Sequence, residues 1–258
     1  VMNHTALITG ASNGIGKELA IIHAQNKGDL VLVARQQDKL EELKALLEKE
    51  NGVKVKIIVK DLSKREAAQE IFDEIKAEGI VVEYLINNAG FGGFGKFYER
   101  IIEEDLQMLD LNIISLTQMT RLFLPEMIKR NSGRIMNLAS IAAFMPGPLQ
   151  AVYFATKAYV LSLSHAIATE IAGTKVAITS LCPGPTVTNF AKHANMENSK
   201  LFKNGATAQY VAIKGYKAMM KGKREIITDT PMKFLIKVIM PYAPLKMVLK
   251  QVMSMQAK

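Results

Sequence analysis

Short apolar runs of strand length alternate with longer stretches of helical periodicity along most of the chain. Strands buried on both faces have continuous apolar sequences, whereas an amphipathic helix repeats its apolar residues every three or four positions. The alternation predicts an α/β fold with a doubly wound, mostly parallel sheet of about seven strands and helices on both faces. The predicted strands are residues 6–8, 29–34, 53–59, 81–86, 133–138, 176–181 and 225–227, and the predicted helices are residues 14–26, 38–50, 63–78, 103–130, 152–172 and 207–220.

The composition indicates one globular domain. Apolar residues make up 49% of the 258 residues and charged residues 22%, which is enough apolar material for a core. No linker rich in Pro, Gly or Ser divides the chain. We therefore predict one domain over residues 1–229, with residues 230–258 as a C-terminal extension that is not a separate domain.

The formal net charge of +9 raises the question of an anionic partner. Lysine and arginine are interspersed with glutamate along the predicted helices, a pattern that is typical of solvated helix faces. Neither a basic and aromatic RNA-binding motif nor zinc-finger spacing occurs, so no nucleic acid partner is expected. Binding of a nucleotide phosphate would account for part of the positive net charge.

Cysteine and histidine positions exclude further classes of site. Cys182 is the only cysteine, so no internal disulfide can form, and its position after an apolar run predicts a buried side chain. The four histidines have no metal-ligand spacing, and no metal site is expected. The first predicted strand leaves no room for a signal peptide, and no apolar run is long enough to span a membrane, so we expect a cytoplasmic protein.

A glycine-rich segment, T-G-A-S-N-G-I-G, occupies residues 9–16 between the first predicted strand and helix. Gly10, Gly14 and Gly16 would allow a tight turn, a close approach to a pyrophosphate and close packing of helix on sheet. The N–H groups at the helix N-terminus would bind the phosphates, and Ser12 adds a hydroxyl. This context predicts a dinucleotide-binding turn.

Candidate site residues follow six of the predicted strands. In doubly wound sheets, ligands bind at the carboxyl ends of the strands, beside the point where the strand order reverses. We therefore expect these segments to meet in one crevice. They are residues 10–16, Arg35, Asp61, residues 87–90, Ser140 and residues 183–184.

Tyr153 and Lys157 are four residues apart on a predicted helix and therefore share one face. An ammonium group beside a phenol favours its ionisation, so the pKa of Tyr153 is expected to be lowered for proton transfer at a carbonyl or carbinol. Together with Ser140 and the glycine segment, the pair resembles the short-chain dehydrogenase/reductase family. The resemblance covers about residues 5–188.

The resemblance implies a Rossmann-like fold, a reductase or dehydrogenase activity and four catalytic residues. Tyr153 would donate or accept the substrate proton, and Ser140 would orient the substrate oxygen. Lys157 would also bind the nicotinamide ribose. Asn112 is similar to the asparagine that in this family holds a water behind the lysine.

The resemblance also implies a set of cofactor-binding residues. Asp61 would accept from the adenine amino group, residues 88–90 would line the adenosine side, and residues 183–188 would hold the nicotinamide carboxamide. The full expected set is Gly10, Ser12, Asn13, Gly14, Ile15, Gly16, Arg35, Asp61, Leu62, Asn88, Ala89, Gly90, Tyr153, Lys157, Pro183, Gly184, Thr186 and Thr188.

The residue that ends the second strand bears on the choice of dinucleotide. An acidic side chain there would bind a ribose 2′-OH and repel a 2′-phosphate, whereas this chain has Arg35. Its guanidinium can bind a phosphate through two parallel hydrogen bonds. Asn13 is uncharged, so a second basic residue that many family members with this preference carry is missing. NADP(H) is favoured, and NAD(H) is the alternative.

Apolar loops are expected around the nicotinamide end. Residues 91–97 and 141–147 are rich in Phe, Ala and Gly, which would allow movement, and residues 189–204 supply Phe190, Met196 and Phe202 as lid contacts. We expect a small-molecule carbonyl or alcohol substrate with an apolar body. Acyl and aliphatic ketones, hydroxysteroids and polyols all remain open.

The extension after residue 229 is basic and amphipathic. Five lysines and no acidic residue follow Thr230, and Pro241 and Pro244 would divide the segment into two short helices. We expect these helices to pack on the protein itself or on a sister subunit of a homodimer or homotetramer. Peripheral binding to an anionic membrane is the alternative.

Two other functions are compatible with the fold. One is a catalytically silent regulator that binds a dinucleotide, and the other is a scaffold recruited to membranes by the extension. The intact set of proton-transfer residues argues against a pure sensor.

Overall fold

The computed structural model describes residues 4–190, 196 and 205–256 of the chain. A seven-stranded sheet of parallel strands lies at its centre, in the order β3-β2-β1-β4-β5-β6-β9. The strand order reverses between β1 and β4, which puts the switch point of the sheet beside the end of β1. The sheet strands are β1 (Thr5–Thr9), β2 (Leu30–Ala34), β3 (Val55–Val59), β4 (Val82–Asn87), β5 (Gly133–Leu138), β6 (Val176–Cys182) and β9 (Glu225–Ile227).

Helices follow the strands and cover both faces of the sheet. Because successive side chains of a strand point to opposite faces, β1 buries Ala6 and Ile8 on one side and Leu7 on the other. The first face is covered by α1, α2 and α7, and the second by α3, α5 and α6. The bounds of these six helices and of α4 are α1 (Gly14–Gln25), α2 (Gln37–Asn51), α3 (Ala67–Ala77), α4 (Ile102–Leu109), α5 (Leu116–Arg130), α6 (Ala151–Glu170) and α7 (Ala208–Met220).

The predicted doubly wound sheet of seven parallel strands is confirmed, and three local features differ from the prediction. The helix expected over residues 103–130 is interrupted by a π-helical segment, Asp110–Ser115. The helix expected from residue 63 begins at Ala67, because Ser63 instead forms a turn in which its N–H and hydroxyl donate to Asp61 Oδ1. A short parallel strand pair, β7 (Thr186–Val187) and β8 (Ala206–Thr207), was not predicted.

The C-terminal segment folds back onto the body of the protein. It consists of α8 (Thr230–Phe234), a π-helical turn (Leu235–Ile239), a 3₁₀ turn (Met240–Tyr242) and α9 (Leu245–Gln256). Pro241 lies in the 3₁₀ turn and Pro244 immediately precedes α9, so the segment is divided into two helical parts as the sequence predicts. Ile236 and Val252 are buried, and Ile236 packs in a cluster with Leu116, Val160 and Leu161. Within the described residues, no helix has both the length and the apolar character needed to cross a membrane.

Candidate active site

The glycine segment forms a tight turn between β1 and α1, and Asn88 holds it in place. Gly10 and Gly14 have φ values of 66° and 55°, a region that glycine enters without steric cost. The Asn88 amide donates to the carbonyl oxygens of Thr9 and Gly10 at 2.9 and 3.1 Å. Asn88 therefore lies beside the expected cofactor site, and its side-chain amide braces the turn.

The turn leaves a concave surface that fits a dinucleotide pyrophosphate. A Cβ at Gly16 would lie 2.4 Å from the carbonyl oxygen of Gly10, and one at Gly14 would lie 3.1 Å from Thr188 Cγ2. Only glycine permits this approach of α1 to the strand end. The first N–H groups of α1 lack partners within the helix and carry its positive dipole end, so they suit an anionic group.

The end of the site that the sequence assigns to adenosine lies between the ends of β2 and β3. Arg35 is exposed there, and Asp61 and Leu62 line the same cavity. Burial raises the pKa of Asp61, but the hydrogen bonds from Ser63 and the charges of Arg35 and Lys64 outweigh it and leave this pKa lowered. The Asp61 carboxylate is therefore ionised and can accept a hydrogen bond.

Ser140 and Tyr153 meet at the end of β5. Ser140 begins a 3₁₀ turn, Ile141–Phe144, and its hydroxyl accepts a hydrogen bond from the Ala142 N–H at 3.1 Å. Burial raises the pKa of Tyr153 to about 12, and a hydrogen bond with the Ser140 side chain opposes this shift. Tyr153 is therefore a neutral phenol at neutral pH. The lowered pKa expected from the neighbouring lysine is wrong, because desolvation of the phenol dominates.

Lys157 is buried below the phenol. Its Nζ donates to the carbonyl oxygen of Leu138 at 2.7 Å and lies 5.7 Å from the centroid of the Tyr153 ring. Burial lowers the pKa of Lys157 to about 8, so the ammonium form still predominates at neutral pH. A positive charge is thus fixed between the end of β5 and the phenol.

Asn112 lies in the π-helical segment and holds the loop after β4. Its Nδ2 donates to the Phe91 carbonyl oxygen at 2.9 Å and to Thr156 Oγ1 at 3.1 Å, and its Oδ1 accepts from the Phe91 N–H at 3.1 Å. A Cβ at Gly90 would lie 2.9 Å from this Oδ1 and 3.5 Å from Lys157 Nζ. The described contacts of Asn112 position the backbone beside the lysine, and its role in holding a water remains a prediction.

The loop after β6 is assigned to the nicotinamide carboxamide by the sequence. The Pro183 carbonyl oxygen accepts from the Ile141 N–H at 3.0 Å, which ties this loop to the segment that carries Ser140. Thr186 is buried, and its hydroxyl donates to the Gly184 carbonyl oxygen at 2.9 Å. The Thr186 side chain therefore stabilises the loop, and its backbone is left as the group that can contact a ligand.

The expected site residues come together as one cavity of about 550 Å³. All of the expected catalytic and cofactor-binding residues line it except Gly16 and Asn112, which lie behind the lining as supports. The cavity volume is within the range of ligand sites, and its position at the carboxyl strand ends is where doubly wound sheets bind dinucleotides.

The wall beside the phenol is apolar. The Tyr153 and Phe190 ring centroids are 5.2 Å apart, and a Cβ at Gly92 would lie 2.7 Å from the Phe190 ring, so this glycine lets the two rings approach. Of the expected lid residues, Phe202 lies outside the described residues. The apolar side chains that complete this wall are Ile141, Met145, Phe154, Met196, Met232, Val252 and Met255.

Sequence reasoning missed several residues that shape the site. The loop over residues 91–97 was expected to move, but Arg100 holds it. The Arg100 guanidinium donates to the Phe94 carbonyl oxygen at 3.2 Å and to Asp105 Oδ1 at 2.8 Å. In the sequence, nothing distinguishes Arg100 from an ordinary exposed arginine.

Gln150 could have been identified from the sequence, because it lies one helical turn before Tyr153 and therefore near the phenol. The α9 residues could not, because they reach the cavity only through folding back of the chain.

Cys182 is buried, as predicted, and burial raises the pKa of its thiol. The neutral thiol behind the Ser140 segment is a packing residue and lacks the thiolate character of a nucleophile.

Comparison with known proteins places the chain in a family. The sequence model of the short chain dehydrogenase family matches residues 4–199. The chain is 33% identical over 193 residues to a very-long-chain 3-oxoacyl-CoA reductase of Anas platyrhynchos, which covers 72% of this chain and 61% of that protein. It is also 33% identical over 203 residues to the 17-beta-hydroxysteroid dehydrogenase type 3 of Mus musculus, covering 77% and 65%.

A solved structure agrees with this likeness. The short-chain dehydrogenase from Sphingobium yanoikuyae in complex with NADPH has a TM-score of 0.83 at 27% identity, and covers 93% of this chain and 96% of its own. The chain spans about three-fifths of the length of the very-long-chain 3-oxoacyl-CoA reductase that it matches. The chain belongs to the short-chain dehydrogenase family, which confirms the resemblance inferred from the sequence.

Proposed function

We propose that the protein is an NADP(H)-dependent short-chain oxidoreductase that interconverts a carbonyl and a secondary alcohol on an apolar substrate, such as an acyl, aliphatic or steroid-like ketone. The observation that carries this proposal is the meeting of Ser140, a neutral Tyr153 and a buried Lys157 in one cavity whose outer wall is apolar.

The chemistry follows from the protonation states. In the site lined by the glycine turn, Tyr153 and Lys157, NADPH would supply the hydride for the carbonyl carbon. Tyr153 donates its phenolic proton to the carbonyl oxygen, and that oxygen becomes the hydroxyl of the product. Ser140 orients the oxygen, and the Lys157 ammonium stabilises the phenolate that remains. A Tyr153 pKa raised to about 12 means that the phenol carries the proton to be donated at neutral pH.

NADP(H) is favoured over NAD(H) by the positive charge at the adenosine end. Arg35 is exposed at the end of β2, where it can bind a 2′-phosphate. The relative from Sphingobium yanoikuyae, whose structure is a complex with NADPH, supports this choice.

The apolar substrate is supported by the cavity wall and by the relatives. Met145, Phe154 and Met255 present no charge to a substrate. The names of the two curated relatives refer to an acyl chain and a steroid, and both are large apolar bodies that carry a carbonyl. A catalytically silent regulator is the alternative, and it gives no reason for a buried lysine beneath a tyrosine.

The test is turnover. Purified protein would be incubated with NADPH and a panel of acyl, aliphatic and steroid ketones, and oxidation of the cofactor would be followed by absorbance. We expect at least one apolar ketone to be reduced by wild type and not by Tyr153→Phe. Binding of NADPH without turnover of any ketone or oxidation of any alcohol would favour the regulator instead.

A further inference from the structure

Two buried glutamines face each other in the apolar wall of the cavity. Gln150 precedes the first turn of α6, and Gln256 is the last residue of α9. Only 6% of Gln150 and 2% of Gln256 is exposed, and both line the cavity. Gln150 Nε2 donates to Gln256 Oε1 at 2.9 Å. This hydrogen bond joins the C-terminal segment to the helix that carries Tyr153.

The pair leaves one acceptor and one donor unused. Gln150 Oε1 and Gln256 Nε2 are buried and have no hydrogen-bond partner among the described residues. If the oxygen and nitrogen of both side-chain amides were interchanged, Gln256 would donate to Gln150 instead. One oxygen and one NH₂ group would still lack a partner, because each amide has one of each. Burial of an unpaired amide group is unfavourable, so two on one cavity wall indicate a site that a ligand group completes.

The chemistry of the missing partner follows from these two atoms. It must donate to an amide oxygen and accept from an amide NH₂, and a hydroxyl or a secondary amide does both. The charged residues that line the cavity are Arg35, Lys60, Asp61 and Lys157. The first three lie at the adenosine end, and the Lys157 ammonium is beside the phenol and bound to the Leu138 carbonyl oxygen. With no charged side chain among the described residues assigned to the glutamine pair, we take its partner to be neutral.

We propose that Gln150 and Gln256 form a subsite that recognises a second polar group of the substrate, a hydroxyl or secondary amide, besides the carbonyl held by Ser140 and Tyr153. This inference rests on the proposed oxidoreductase function. Gln150 lies three residues before Tyr153, so the subsite is about one helical turn from the phenol. The substrate is then an apolar body with two polar groups, and the subsite fixes which carbonyl faces the phenol.

The experiment compares ligands that differ by one polar group. One arm uses the N-acetylcysteamine thioester of a 3-oxoacyl chain, which contains a secondary amide, and the S-pentyl thioester of the same chain, which has the same length and lacks the amide. The other arm uses a ketosteroid with a remote hydroxyl and its deoxy analogue. Each is titrated calorimetrically into the protein with bound NADP⁺, where the ketone is not reduced. We expect the polar member of at least one pair to bind at least ~10-fold tighter.

Variants separate recognition from a merely structural role. The double variant Gln150→Leu and Gln256→Leu replaces both partners by apolar groups of similar size, and the affinity ratio should fall to about one. Gln118→Leu is the matched control, because Gln118 Oε1 is also buried without a partner among the described residues but does not line the cavity. That variant should keep the wild-type ratio. Should the double variant fail to fold, Gln256→Met removes the free NH₂ donor together with the oxygen that accepts from Gln150, and it should lower the ratio.

Equal affinities within both pairs for wild type, or no binding by any of the four ligands, would overturn the subsite, since a water molecule would then satisfy the two amides. If the folded double variant keeps the wild-type ratio of affinities within a pair, the subsite proposal is overturned as well. Failure of the oxidoreductase proposal is a separate result, because absence of NADPH oxidation leaves the measured affinity ratio intact.

Discussion

Lys157 Nζ donates a hydrogen bond of 2.7 Å to the carbonyl oxygen of Leu138, the last residue of β5. One of its three N–H donors is thereby committed to the sheet, and the ammonium is fixed 5.7 Å from the centre of the Tyr153 ring. Because Ser140 follows the same strand, a single strand end positions both the charge and the hydroxyl on which the proton transfer depends.

The lowered pKa of Lys157 predicts a pH-dependent stability of the cofactor-free protein. The folded pKa is about 8, and the ordinary lysine value is about 10.4. Between these values the unfolded chain binds more protons, so the contribution of Lys157 to the free energy of unfolding rises with pH across this window. We expect the wild type to gain on the order of 1–3 kcal/mol relative to Lys157→Met between about pH 8 and about pH 10. Urea unfolding of both proteins measures this difference, and parallel pH profiles would contradict the assignment.

The neutral phenol of Tyr153 predicts a selective loss of chemistry. Tyr153→Phe keeps the ring but removes the proton, so turnover should fall at least ~10²-fold. NADPH binding should hardly change, since the ring still packs on Phe190. Fluorescence titration of NADPH beside steady-state kinetics separates the two effects. Reduction of a ketone by this variant at the wild-type rate would remove Tyr153 as the proton donor.

The sequence was informative wherever a local pattern determines a structure. Gly10, Gly14 and Gly16 predicted the turn because their spacing reflects a backbone constraint, and the four-residue step from Tyr153 to Lys157 predicted a shared helix face. The raised pKa of the phenol could not be predicted, because it depends on how completely the surrounding elements exclude water. Gln256 joins the cavity only through contacts between residues 106 positions apart, and such contacts leave no local pattern.

Arg35 predicts the cofactor preference. NADPH should bind at least ~10-fold tighter than NADH, equivalent to about 1.4 kcal/mol. Arg35→Asp removes the cation and adds repulsion, so this preference should disappear. Titration of both cofactors against both proteins is the measurement. Arg65→Asp is a suitable control, because Arg65 is exposed and neither it nor its partner Asp110 lines the cavity. Equal affinities in the wild type would contradict the assignment of Arg35.

The C-terminal segment carries the last prediction. Truncation before Pro231 removes Ile236 from its cluster with Leu116, Val160 and Leu161, and removes the α9 wall of the cavity. The exposed apolar surface should change the oligomeric state or the solubility. The KM for an apolar ketone should also rise more than that for NADPH, because the lost wall adjoins the phenol. Light scattering and steady-state kinetics of both lengths provide these measurements.

Membrane binding is the competing role of this segment. Phe234, Tyr242, Leu245 and Met247 are exposed, and the segment has five lysines and no acidic residue after Thr230. Each lysine near an anionic surface contributes about 1 kcal/mol of attraction, which salt screens. Sedimentation of the full-length chain with anionic vesicles at low and high salt tests this alternative. If salt-sensitive binding is lost on truncation while the oligomeric state, the solubility and the KM stay unchanged, the segment is a membrane anchor and the packing role is wrong.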